Sequence, residues 1–145
     1  MIPRWHIVLG LIFVSVLYFI APETKLIYLG LVFFGSVFID LDHYIQAVRK
    51  TGSWSLQRAL DYYRKLGIQE EMEKKKGIRR RGDFHLFHTI EFHIFVGLLG
   101  LLWIGFFYLF LGMVFHSLTD LLSIGIEGRL YRREFFFSNW LAKRI

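Results

Sequence analysis

Three long apolar runs, bounded by polar residues, organise this chain. Trp5 to Ile20 lies between Arg4 and the breaking sequence Ala21-Pro22-Glu23. Leu26 to Ile39 carries no charge and then ends in Asp40-Leu41-Asp42-His43. Ile94 to Phe115 is also uncharged; His85, His88, Glu91 and His93 precede it, and His116 and Asp120 follow. Apolar blocks of this kind predict membrane-spanning helices. The short link from Ala21 to Lys25 returns the second helix antiparallel to the first. Phe84 to Ile124, as one helix, would be roughly 60 Å long at ~1.5 Å per residue, about twice the hydrocarbon thickness. It is therefore read as two helices with a tight turn near Trp103-Ile104-Gly105. The expected fold is all-α: one membrane domain over 1–145, a four-helix bundle with helices at about 5–21, 26–43, 84–103 and 105–124. A cytoplasmic, partly amphipathic insertion fills 44–83, and 125–145 forms a basic cytoplasmic tail.

Inside the insertion, Ser53 or Ser55 can cap a helix running to Leu66. Leu56, Leu60, Tyr63 and Leu66, with Trp54, fall near one face, as in a helix lying on a membrane surface or over a site. Glu70/Lys74 and Glu71/Lys75 are i,i+4 pairs, and Gly77 is a stop signal. Arg79-Arg80-Arg81 reads as a topology anchor or a contact for anionic lipid. A nucleic-acid patch is the poorer reading, because no binding motif accompanies the arginines. Trp5 to Ile20 lacks a small-residue cleavage signal and is read as a retained helix.

Composition sharpens this picture. Hydrophobic residues make up 54% and aromatics 19% of the 145 residues, more than an ordinary soluble domain of this size carries. The net charge of +6 follows topology: of 18 Lys and Arg, only Lys25 falls in a loop on the far side of a four-helix bundle. The positive-inside rule then places both termini in the cytoplasm of a cell-membrane protein. There is no cysteine, so any metal must be held by imidazole and carboxylate, which suits zinc, with manganese and iron as alternatives.

Four spans put the C-terminal end of helix two, the N-terminal end of helix three, the C-terminal end of helix four and His6 at one face. Titratable groups at membrane depth are costly unless something binds them. His6, Asp40, Asp42, His43, His88, His116 and Asp120 are therefore candidate metal ligands. His116 and Asp120 are i,i+4, whereas His88/Glu91 and Asp40/His43 are i,i+3, spacings that place two side chains on one helical face. His93 lies about 140° round a helix from His88, and Asp42 is similarly rotated from Asp40 unless the helix ends there. Glu91 is a candidate ligand, general base or counter-ion, and Glu91 and His93 are the candidate catalytic pair. A lone His in an apolar run more often packs and hydrogen-bonds than ligates, which is the bland reading of His6. Asp42 and His85 also read as interfacial caps.

These residues carry a resemblance. His6, the Asp40-x-Asp42-His43 motif, His88-x4-His93 and His116-x3-Asp120, in that order, are similar to the YdjM-like membrane-bound metal-dependent hydrolases, described as LexA-binding and inner-membrane-associated. The resemblance covers the apolar segments and implies a metal-dependent hydrolase in the inner membrane. Where that family reads His-Arg-Gly-x-Thr-His-Ser, this chain reads His88-Thr89-Ile90-Glu91-Phe92-His93-Ile94. The Arg and both hydroxyls are replaced, so the substrate carries over poorly. The family is in turn distantly similar to all-helical zinc phospholipases and nucleases, which points to phosphoester or lipid-linked substrates by analogy. Two other classes compete. One is a non-enzymatic membrane protein with a structural metal, recruiting anionic lipid or a protein partner. The other is a cation carrier, disfavoured because no polar residues continue toward the other face.

Overall fold

The computed structural model describes residues 3–145; the first two residues of the expected domain lie outside the described residues. Among the described residues the chain is helical, with no strand. Seven α-helices run α1 (Pro3–Ile20), α2 (Leu26–Phe38), α3 (Leu41–Thr51), α4 (Leu56–Lys75), α5 (Ile90–Leu99), α6 (Ile104–Ile126) and α7 (Phe137–Ala142). Short 3-10 turns precede α5 (Leu86–His88) and follow α6 (Leu130–Arg132).

The apolar helices α1, α2, α5 and α6 lie side by side. Phe13 stacks on Phe115 with centroids 4.1 Å apart, and Tyr28 stacks on Tyr108 at 4.6 Å. Helix α2 runs parallel to α6: Tyr28 meets Tyr108, Val32 meets Gly112 and Ser36 meets His116 in constant register. Glycine makes this crossing possible. A Cβ on Gly112 would stand 2.0 Å from the Val32 carbonyl oxygen, and one on Gly35 2.3 Å from that of Leu109. Gly97 and Gly100 allow α5 to lie against Phe110 and Phe107, whereas Gly30 faces open space.

The run 84–124 does divide into two helices, with the turn at 100–103, which meets the expected Trp103-Ile104-Gly105 stretch at Trp103 and leaves Gly105 inside α6. The Gly100, Leu101 and Leu102 amides donate to Gly97, Leu98 and Leu99 carbonyls, which tightens the end of α5. Gly105 serves packing instead: a Cβ there would lie 2.4 Å from the Trp103 indole. Helix α5 also starts later than expected, at Ile90, because Thr89 is extended and its hydroxyl accepts from the Phe92 amide as an N-cap.

Length qualifies the four-span expectation. Leu26–Thr51 and Ile104–Ile126 are long and apolar enough to cross a membrane; Arg4–Ile20 and Ile90–Leu99 are apolar but shorter. At ~1.5 Å per residue the α5 helix covers roughly half of a hydrocarbon core. Burial is inverted relative to a water-soluble domain. Among the described residues, polar and charged side chains outnumber hydrophobic ones in the interior, while Phe19, Leu101, Leu102 and Ile126 are at least 80% exposed. The apolar interior is a small cluster of Ile39, Val96 and Met113, packed against Phe87, Phe92, Phe106, Leu109 and Phe110.

The 44–83 insertion forms a second layer over the polar end. Ser55 caps α4, accepting from the Arg58 amide, and the helix continues past Leu66 to Lys75. Tyr63 donates to the His43 carbonyl at 2.8 Å and Tyr62 to Asp83 at 2.8 Å, so α4 is fastened to α3 and to the 76–85 segment. Burial and the nearby Asp83 carboxylate push the Tyr62 phenol up to about 12. Leu56 and Leu60 remain exposed, whereas Ala59 on the same helix is buried. The basic tail is tied to α4: Arg132 pairs with Glu70 at 2.9 Å and Glu73 at 3.1 Å, and Arg129 with Glu71 and Glu70. Arg80 and Arg81 pair with Glu73 and Glu134, and Arg79 lies over the Tyr131 ring.

Candidate metal centre

Helix α2 breaks at Ile39–Asp40, where the Asp40 amide donates to the Val37 carbonyl in a 3-10 turn before α3 begins. That break removes the angular separation of Asp40 and Asp42. Asp40 now faces His88 and the α6 residue His116, and Asp42 faces His88, which lies in the 3-10 turn before α5. His6 enters from the first turns of α1, and His116 and Asp120 from one face of α6.

The imidazoles are oriented by partners outside the cluster. His116 Nδ1 is 2.7 Å from the Ser36 carbonyl oxygen, which only accepts, so Nδ1 carries the proton and Nε2 offers a lone pair. His88 Nδ1 donates to Asp42 Oδ2 at 3.1 Å, and Asp42 Oδ2 also accepts from the Phe87 amide at 3.0 Å. The His88 Nε2 lone pair is likewise turned inward, 3.3 Å from His116 Nε2. Two such lone pairs repel each other unless a proton or a metal ion lies between them.

Two carboxylate oxygens complete the arrangement. Asp40 Oδ1 is 3.4 Å from His116 Nε2 and 3.7 Å from His88 Nε2. Asp120 Oδ2 is 3.7 Å from His116 Nε2 and 3.9 Å from His88 Nε2. Four ligands at ~2.0–2.1 Å from a tetrahedral ion stand roughly 3.3–3.4 Å apart. Closing the wider edges takes shifts of a few tenths of an ångström. The donor set therefore fits a divalent ion. The second oxygens of both carboxylates face His6, whose Nε2 is 3.2 Å from Asp120 Oδ1 and 3.9 Å from Asp40 Oδ2. Asp40 and Asp120 thus each show one oxygen to the His88/His116 pair and the other to His6, and the His6 ring stacks on His116 at 3.8 Å. Each of the combinations His6/Asp40/His116, Asp40/His43/His88, Asp42/His43/His85 and His88/His116/Asp120 brings ligand atoms close enough to hold a metal ion.

The expected residues divide into two groups. His6, Asp40, His43, His88, His116 and Asp120 converge. Asp42 also reaches the site, where it orients His88 through Oδ2, while its buried Oδ1 lies 3.6 Å from His85 Nδ1 without a hydrogen bond. Glu91 and His93 do not join the cluster. Glu91 turns to the tail and accepts from the Phe137 and Ser138 amides at 2.9 and 3.0 Å and from the Ser138 hydroxyl, which anchors the start of α7. His93 is buried one helical turn below the cluster, with Nδ1 donating to the Thr89 carbonyl at 2.8 Å and Nε2 bonded to the Ser117 hydroxyl at 3.0 Å. The physical reason is that 86–88 is a 3-10 turn followed by extended Thr89, so the angles of a continuous helix do not relate His88 to Glu91 and His93.

Two residues were not singled out from the sequence as part of the site. His85 stacks on His43 with centroids 3.7 Å apart; its i,i+3 spacing to His88 was the available signal. Arg133 donates to Asp120 Oδ2 at 2.8 Å from the tail, and no spacing announces it.

Asp42→Ala tests the orientation of His88. Loss of a carboxylate that holds a ligating imidazole is expected to weaken metal binding ~10–100-fold, read by titration against a chelator. Unchanged affinity would show that Asp42 acts only on the Phe87 amide. Comparison with family models, with characterised proteins and with solved structures finds no match to this chain.

Proposed function

We propose that the chain is an integral membrane metal-dependent hydrolase acting on a phosphoester or lipid-linked substrate from the cytoplasmic side. The carrying observation is the facing of His88 Nε2 and His116 Nε2 at 3.3 Å, with Asp40 and Asp120 oxygens at ligand spacing around them. In this reading α1, α2, α5 and α6 form a four-helix membrane bundle. Polar residues between α4 and the bundle allow the short α5 to begin at protein-lined depth. The exposed apolar side chains of the bundle, against its polar interior, support a lipid surrounding.

A nitrogen- and oxygen-donor set at near-tetrahedral spacing favours zinc, with manganese and iron as alternatives. Such an ion supplies Lewis acidity, polarising a phosphoester and acidifying water near neutral pH. The chain's own residues do the rest. Asp42 and the Ser36 carbonyl hold the two imidazoles in the ligating tautomer. His43 is the cluster's accessible imidazole, its side chain 32% exposed against 1% for His88 and 0% for His116. Its Nε2 lies 3.7 Å from Asp40 Oδ1, which places it to move a proton at the solvent edge of the site.

The test is hydrolysis of soluble phosphomonoesters and phosphodiesters by detergent-purified protein, before and after chelation and with each ion restored. Activity that disappears with the ion and returns with it is the expected result. A bound ion with no turnover on these soluble esters or on phospholipid in mixed micelles would sink the hydrolase reading and leave a structural metal in a recruiting membrane protein.

A further inference from the structure

A groove of ≈ 340 Å³ runs between α5 and α6 and borders the metal centre, with His88 lining both. Its walls are apolar: Ile94, Phe110, Val114, Leu118 and Leu121. It opens sideways onto the outer surface of the bundle, where Ile90, Ile94 and Leu118 are 42%, 55% and 53% exposed. A lipid tail lying against α5 and α6 would meet it without leaving an apolar surrounding.

The other end of the groove is polar, and the tail builds it. The Ile90 amide donates to the Phe135 carbonyl at 2.9 Å, which draws the extended segment after Arg132 across the start of α5. Side chains of an extended chain alternate in direction. Arg133 and Phe135 accordingly line the groove, whereas Glu134 between them turns away to Arg81 and Lys143; Arg132, the last residue of the 3-10 turn, pairs with Glu73. The Arg133 guanidinium donates through Nη1 to Asp120 Oδ2, and the side chain makes no other hydrogen bond among the described residues. A guanidinium has five N–H donors in a planar fork suited to phosphate. Most of that fork is thus available where the apolar groove meets the metal centre. A second cavity, ≈ 410 Å³ between α1 and α2, is lined by apolar residues with Ser15 and Tyr18 and carries no charge.

We propose that the α5–α6 groove seats the acyl chain of a membrane phospholipid and that Arg133 holds its phosphate beside the metal centre. This rests on the hydrolase reading for its biological sense, and it names the substrate class of that site: a phosphoester bearing a long acyl chain, taken laterally from the bilayer. Water-soluble phosphoesters would use Arg133 without the groove.

The experiment is photo-crosslinking of the full chain in phosphatidylcholine nanodiscs with phosphatidic acid carrying a diazirine on its acyl chain, the adducts mapped by mass spectrometry. Labelling is expected to concentrate on Ile94, Val114, Leu118 and Leu121. The same photoactive chain on diacylglycerol, which lacks the phosphate, should label these positions at least about tenfold less. Arg133→Gln should bring phosphatidic acid down to the diacylglycerol level. Leu118→Trp, which fills the groove and leaves Arg133 in place, should abolish groove labelling while metal content is unchanged. This second variant decides the matter if Arg133→Gln disturbs the site. Labelling spread equally over the α1–α2 cavity, or equal labelling by both lipids, would overturn the proposal. Because crosslinking needs no turnover, groove labelling without hydrolysis defeats the hydrolase reading alone, and hydrolysis without groove labelling defeats this one alone.

Discussion

Alanine in place of His116 leaves the protein without its metal. Elemental analysis of detergent-purified protein should show a near-stoichiometric ion in the wild type and none in His116→Ala. The effect is large because His116 is the hub of the arrangement. Its Nε2 faces His88 at 3.3 Å, Asp40 at 3.4 Å and Asp120 at 3.7 Å, and its ring supports His6 by stacking. Removal opens one vertex of the ligand set, and with the ion lost the buried Asp120 and the partly buried Asp40 carboxylates lose its positive charge. An uncompensated buried charge costs several kcal/mol, on the order of 3–5. A conservative control separates loss of ligand from loss of fold. Ser117→Ala, on the same helix, touches only the His93 branch and should keep the ion. Equal metal content in the wild type and His116→Ala would remove the metal centre as described.

Gly112→Ala is expected to be the most damaging single methyl in the chain. The new Cβ would stand 2.0 Å from the Val32 carbonyl oxygen and 2.9 Å from the Ser36 amide nitrogen. Neither is the flexible end of a side chain, so α2 and α6 must separate. Overpacking of this kind typically costs ~1–3 kcal/mol, and a backbone clash belongs at or above the upper end. The displacement also moves the Ser36 carbonyl, which holds His116 Nδ1 at 2.7 Å. Stability and metal affinity should therefore fall together. Thermal unfolding in detergent beside Gly30→Ala is the measurement. Gly30 faces open space within α2, so alanine there should be neutral or slightly stabilising. Equal melting temperatures for the two variants would show that α2 and α6 do not cross so closely.

Much of the architecture can be read from the alternation of apolar runs and polar ends. The helices at α1, α2 and α6, the antiparallel return through Ala21–Lys25 and the need for a break inside 84–124 all follow from length and charge. The location of that break follows only approximately. Gly105 was the visible marker, yet the chain turns at 100–103, because Gly105 is needed beside the Trp103 ring. A glycine's reason for being glycine is a neighbour in space, and one-dimensional pattern does not name the neighbour.

The metal centre shows the same division. Asp40, His88, His116 and Asp120 are conspicuous because ionisable groups beside apolar runs demand partners. Their mutual placement within 3.3–3.9 Å depends on the parallel contact of α2 with α6. Glu91 carried as strong a signal in the sequence as His88 and yet anchors the tail, since a single 3-10 turn ahead of Thr89 redirects everything after it. Arg133 carried no signal, because an arginine in a basic tail looks like its neighbours until an extended backbone assigns alternate residues to opposite sides.

The sequence by itself determined which residue types were available and that they lie at the ends of apolar helices. Without cysteine, only imidazole and carboxylate could serve a metal, and the long uncharged apolar runs predict an all-helical chain. Tertiary structure alone decided which of those residues meet and which atom of each faces inward. Helix formation depends on local spacing, whereas ligand geometry depends on backbone approach between distant segments. That approach is governed here by Gly35 and Gly112, and by the carbonyl and carboxylate that fix each imidazole from outside the site.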